Sequence, residues 1–120
     1  MDRQQIGRAA EDAAVTFLES QGAEILLRNF RRRLGELDVV ARERDTLVIA
    51  EVRTRSSNAF GGAAASVGFQ KQARLTRAAA QLLQQRKDLS KLRVRFDVIV
   101  VHEPTSAVPR VEWIKHAFAT

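Results

Sequence analysis

The chain has 120 residues, no cysteine, and a formal net charge of +6 from 20 basic and 14 acidic side chains. Hydrophobic residues at 45% and charged residues at 28% are globular proportions that exclude a disordered chain, and the length suits one domain, residues 1–120, with its own core. Disulfides and thiolate zinc sites are excluded, and no apolar run approaches the roughly 20 residues of a membrane span.

The polar start Met1-Asp2-Arg3-Gln4-Gln5 runs straight into a helical pattern, with no signal-peptide signature. A cytoplasmic protein without a membrane partner is expected. Sixteen of the 20 basic residues are Arg, whose planar fork suits bidentate phosphate contact. Genome composition can produce the same excess, and counts alone do not separate the two. Clustering does more: Arg28, Arg31, Arg32 and Arg33 fall close together, which favours a nucleic-acid partner.

In chain order, residues 7–21 read as a helix with Ala10, Ala14, Phe17 and Leu18 on its apolar stripe. Gly22 is placed to stop it. Glu11 and Asp12 fall in its first turns, where the helix dipole favours negative charge. Residues 24–31 read as a strand, and the run Arg31-Arg32-Arg33 leads from it to Gly35.

Residues 35–55 read as a hairpin. Val39–Ala41 and Leu47–Ala50 are apolar runs of strand length, and Arg44-Asp45 is the expected turn, with Asp tolerant of turn geometry. A two-residue loop there sets Asp38 opposite Glu51 and Glu36 opposite Arg53. Opposed residues on a sheet have Cβ atoms about 5 Å apart, where like charges repel. Two carboxylates opposed among Val, Ile and Leu need a compensating partner, and a divalent metal ion supplies one.

Residues 56–66, with Gly61-Gly62 and four alanines, read as a loop, either a plain connection or a segment that approaches a substrate. Residues 67–88 read as the longer helix, with Leu75, Ala78, Ala79, Leu82 and Leu83 buried. Lys71, Arg74, Arg77 and Gln81 line another face, either solvated or in contact with phosphate. Residues 92–102 are apolar on both faces at their centre, as expected of a buried parallel strand. A strand–helix–strand crossover sets it beside 46–54. Asp97 interrupts that run and needs a partner, with a structural Arg ion pair expected. Residues 111–115 can form a last strand, and Trp113 and Phe118 are expected to pack rather than stack on bases. His102 and His116 have no spacing partner that suggests a metal site or a triad.

Phosphodiester hydrolysis needs a metal to neutralise phosphate and activate water, carboxylates to hold it, and a cation for the developing charge. Magnesium takes one or two carboxylates, with waters and substrate oxygens completing its octahedron. Asp38 and Glu51 fit as ligands. Arg53, two residues beyond Glu51 on the same face, fits the phosphate, and Glu36 is either a further ligand or the partner of Arg53. The sequence has no Walker glycine loop, no Ser-His-Asp order and no Cys nucleophile.

The segments Gly7-Arg8-Ala9-Ala10-Glu11, Gly35-Glu36-Leu37-Asp38, Glu51-Val52-Arg53-Thr54-Arg55, Lys71-Gln72-Ala73-Arg74-Leu75 and Arg95-Phe96-Asp97-Val98 together resemble the YraN-like uncharacterised family, UPF0102, of the PD-(D/E)XK restriction-endonuclease-like group. The resemblance runs from Ile6 to Phe118. It implies an α/β fold with an α-β-β-β-α-β core and a mixed sheet flanked by helices, as in archaeal Holliday-junction resolvases. It implies Asp38 and Glu51 as the motif's acidic ligands for Mg²⁺ or Mn²⁺, and Glu11 as the first-helix Glu brought to the metal. The motif's last position is normally Lys and here is Arg53, which binds phosphate but cannot act as a base. Some members of the wider group carry this Lys on the following helix, where Lys71 stands; otherwise the substitution marks weakened activity.

The expected activity is a Mg²⁺- or Mn²⁺-dependent endonuclease acting on branched or single-stranded DNA. Its catalytic set is Glu11, Asp38, Glu51, Arg53 and Lys71, and Arg31, Arg32, Arg33, Arg55, Arg74 and Arg77 hold nucleic acid. The alternatives are a DNA- or partner-binding protein that keeps the nuclease fold without turnover, and a structural domain with incidental Arg. The related resolvases are dimers, so a homodimer joins the expectations, although no stretch marks an interface.

Overall fold

The computed structural model describes residues 2–55 and 66–119. Asp2 opens α1 (Arg3–Ser20): its carboxylate accepts the Gln5 backbone N–H at 2.8 Å, and the Gln5 side-chain oxygen accepts the Asp2 backbone N–H at 3.0 Å. This reciprocal cap satisfies two donors that a helix start leaves open. The helix therefore begins ahead of residue 7, and Glu11 and Asp12 are not in its first turn. The dipole account of Glu11 fails, so its carboxylate needs another explanation. At the other end Gly22 takes φ +91°. Its N–H donates to the Glu19 carbonyl and that of Ala23 to the Leu18 carbonyl, both at 3.0 Å, the paired closure that a left-handed glycine permits.

Among the described residues, five strands form one mixed sheet in the order β1 (Glu24–Arg32), β2 (Gly35–Glu43), β3 (Thr46–Arg55), β4 (Arg93–His102), β5 (Arg110–Phe118). β3 and β4 run parallel and the other neighbours antiparallel. A parallel pair needs a crossover, and α2 (Phe69–Gln85) lies between the two in sequence, followed by a 3-10 turn at Lys87–Leu89. The α-β-β-β-α-β order is thus present, consistent with a restriction-endonuclease-like core, and β5 extends it over more residues than 111–115. Of the loop expected over 56–66, residues 56–65 lie outside the described residues. No helix among the described residues is long and apolar enough to cross a membrane.

The helices cover opposite faces. Along β3, Leu47 and Ile49 pack with Leu75, Ala78 and Leu82 of α2, while Val48 and Ala50 pack with Ala10, Ala14 and Leu18 of α1. β4 feeds both layers, which accounts for its apolar character on both sides. Glu43 pairs with Thr46, so the hairpin has the expected two-residue loop. The left-handed residue is Arg44, at φ +59°, rather than Asp45; the Arg42 Nε donates to the Arg44 carbonyl at 2.7 Å and braces the turn.

Candidate active site

Strict alternation puts residues three apart on opposite faces of a sheet. β1 and β2 break this rule around Asn29 and Asp38, beyond a register shift between Ile25 and Leu27. Leu27 and Phe30 both reach the α2-side core, as do Leu37 and Val40. Between them lie Asn29 and Asp38. The β1–β2 ladder passes from Arg28↔Val39 to Phe30↔Leu37 without pairing these two. Asn29 has φ +54°, a left-handed conformation that Asn tolerates better than most residues. One such residue reverses the pleat and turns neighbouring side chains toward the same helix.

The consequence is the anchoring of Glu11. Arg28 Nε donates to Glu11 Oε1 at 3.0 Å and Asn29 Nδ2 donates to the same oxygen at 2.9 Å. Arg28 also reaches Asp12 Oδ1 at 2.6 Å, and this bond leads the causes that raise the Arg28 guanidinium above its ordinary range. Glu11, Asn29, Glu36 and Asp38 line one cleft of about 480 Å³ under α1. Glu11 and Asp38, distant in sequence, are therefore neighbours. Asn29 and Arg28 escaped the sequence analysis as positioning groups. The available signal was an amide inside a strand, where Asn is disfavoured.

The β2–β3 ladder ends at Val39↔Ala50. Beyond it the Val52 N–H donates to Asp38 Oδ2 at 2.9 Å, a side chain taking the bond that a partner strand usually supplies. Asp38 and Glu51 therefore meet at a fork in the sheet. Burial pushes the Asp38 carboxyl up to about 7, aided by its hydrogen bond to Glu51 and the Glu51 charge; the Val52 N–H and Lys71 act against the rise. Glu51 is buried, with its side chain 8% exposed, and Lys71 Nζ of α2 lies 3.1 Å from its Oε2. Asp38 thus opens to the α1 side, while Glu51 is met from the α2 side.

Glu36 does not extend the β2–β3 ladder to Arg53. It lies opposite Arg31, with Arg31 Nε 3.5 Å from Glu36 Oε2. Arg53 Nη1 donates to the Ser66 carbonyl. On the α2 side, Arg33, Gly35, Glu36, Lys71 and Arg74 border a second concavity of about 390 Å³. Arg32 also borders it, donates to Gln85 Oε1 at 2.7 Å and lies over the Phe30 ring, 4.0 Å from its centroid. Arg77 is exposed on α2, and Arg55 ends β3.

Among the described residues, no group of three or more His, Asp or Glu side chains is arranged to hold a metal ion. The donors that do meet are the Asp38–Glu51 pair. A half-buried and a buried carboxylate sharing one ammonium, that of Lys71, match the one or two carboxylates that magnesium takes from protein.

Among the described residues, the other buried ionisable side chains are Asp97 and His102. Asp97 is 2% exposed. It accepts two bonds from Arg95 at 2.9 Å each, one from Trp113 Nε1 at 2.8 Å and one from the His116 N–H at 2.9 Å. Trp113 also packs edge-on against Phe17, and Phe118 stacks on Phe96. His102 Nε2 lies 3.2 Å from Glu112 Oε1.

Residues 10–101 match the family model described as "Uncharacterised protein family UPF0102". A UPF0102 protein of Desulforapulum autotrophicum is 45% identical over 118 residues, 98% of this chain and 96% of the relative. One from Pseudomonas savastanoi pv. phaseolicola is 46% identical over 117 residues, 97% and 94% of the two chains. One from Frankia casuarinae is 47% identical over 113 residues, 94% and 95%. With a model match over most of its length and relatives this similar end to end, the chain belongs to the uncharacterised protein family UPF0102.

Proposed function

We propose that the protein is a metal-dependent nuclease that hydrolyses phosphodiester bonds in DNA, on branched or single-stranded substrates. The observation that carries this reading is the Asp38–Glu51 pair: a half-buried and a buried carboxylate that interact at a fork in the sheet, with Lys71 beside them. Two acids held together out of water are costly unless a cation or a proton relieves them. Asp38 and Glu51 are the residues to hold Mg²⁺ or Mn²⁺. Such an ion supplies charge neutralisation at phosphate and a more acidic bound water.

The chain's own groups divide the remaining work. Lys71 neutralises Glu51 and, as a mobile ammonium on α2, can turn to a phosphate oxygen. Arg53 stabilises charge but stays protonated, so it is no base. Glu11, held through one oxygen by Arg28 and Asn29, faces the same cleft as Asp38 and assists there. Arg31, Arg33, Arg55, Arg74 and Arg77 supply the positive surface for the backbone.

The second reading is a DNA- or partner-binding protein without turnover. It is favoured by Arg53 at the motif's Lys position. Incubating the protein with junction, flap and single-stranded DNA in Mn²⁺, beside Asp38→Ala and Glu51→Ala, separates the two. Cleavage by the parent that both variants lose supports the nuclease. Binding without cleavage in Mg²⁺ or Mn²⁺ supports the second reading.

A further inference from the structure

The two concavities at the candidate site open on opposite faces of the sheet. One lies under α1, with Arg8 and Arg31 among its walls. The other lies under α2, with Arg33, Lys71 and Arg74. Glu36, at the start of β2, borders both. The carboxylate pair stands between them, since Asp38 lines the first and Glu51 is met by Lys71 from the second. Leu34, at the tip of the β1–β2 connection, is 47% exposed in the α2-side basic wall. An apolar side chain there suits the face of an unstacked base.

A duplex is stiff, with a persistence length of about 50 nm, so a straight duplex can lie along one face of a thin sheet edge but cannot enter both. A single strand bends freely at each phosphate and can. Resting on the nuclease reading above, we propose that the site takes a single-stranded DNA segment crossing the Glu36 rim from one face to the other. One phosphate lies against Arg8 and Arg31, another against Arg33 and Arg74, and the backbone between them passes Asp38 and Glu51. On a branched substrate, this selects an unpaired arm over its duplex stems.

Metal-free binding tests the crossing apart from cleavage. Fluorescence anisotropy in EDTA compares a labelled oligothymidylate of about a dozen nucleotides with a duplex of the same length. The proteins are the parent, Arg8→Ala, Arg74→Ala and the double variant, all at exposed positions. The single strand is expected to bind more tightly. Each replacement should lower its salt slope by about 0.7, and the double variant by the sum. Equal affinity for strand and duplex, or a slope unmoved by either replacement, overturns the crossing. If the strand binds in this way but Mn²⁺ produces no cleavage, the nuclease reading fails and the crossing stands.

Discussion

Two acids of the same sheet, Asp97 buried and Asp38 half-buried, live in opposite circumstances. Asp97 on β4 meets four donors, and each oxygen accepts two hydrogen bonds. Arg95 continues from it to Glu43, which Lys115 also reaches; these two cations outweigh the burial of Glu43 and hold its carboxyl below the usual range. Asp38 on β2 accepts the Val52 N–H, and among the described residues a second carboxylate, Glu51, raises its pKa while Lys71 opposes the rise. A carboxylate kept for structure is saturated with donors, because an unpaired buried charge is expensive. The contrast separates a saturated site around Asp97 from a more open one around Asp38.

The largest effect is expected at the saturated end. Asp97→Ala strands the Arg95 guanidinium, the Trp113 N–H and the His116 N–H, and should cost about 3–5 kcal/mol. In urea, the midpoint should fall with the slope unchanged. A loss below about 1 kcal/mol would erase the contrast.

At the open end, Gly35 lets β2 touch α2: a Cβ built there lies 2.5 Å from the Arg74 carbonyl oxygen. Gly35→Ala must push the helix that carries Lys71 away from Glu51. A loss of about 2 kcal/mol is expected, read by thermal unfolding. Retained stability would mean that the helix yields cheaply.

Asp38→Asn should act with the opposite sign. The carboxyl is raised from 3.8 to about 7, so between those values the folded chain keeps a proton that the unfolded chain has released. Stability therefore falls as pH rises through that window. The amide can still accept from Val52 and removes the repulsion. Relative to the parent, the variant should gain about 1.4 kcal/mol or more above pH 7, the worth of one pKa unit, and little at about pH 4. Parallel melting curves across the range would place the strain elsewhere. Magnesium should raise the parent's Tm above pH 7 and leave that of the variant nearly unmoved.

The smallest effect belongs to Asn29. Asn29→Gly keeps the left-handed backbone and loses the bond to Glu11, so stability should change by less than about 1 kcal/mol while Mn²⁺-dependent cleavage drops. Asn29→Ala adds the left-handed penalty of about 1–2 kcal/mol. Equal unfolding midpoints for the two variants would refute a backbone role.

Much of this was legible along the chain. The spacing about Arg44-Asp45 put Asp38 near Glu51, because a two-residue loop sets pairing by arithmetic. The doubly apolar run ending at His102 marked a parallel strand, since helices cover both faces of such a strand. The need of Asp97 for an Arg partner followed from its position in that run. These features depend on residues close in sequence or on the periodicity of one strand. Tertiary packing alone decided that Asn29 reverses the pleat, that Glu11 is anchored from β1, that the ladder opens so Asp38 takes the Val52 N–H, and that Lys71 meets Glu51. Each of these joins segments that no local period relates, so it is settled by which faces the helices cover and by what a buried charge requires.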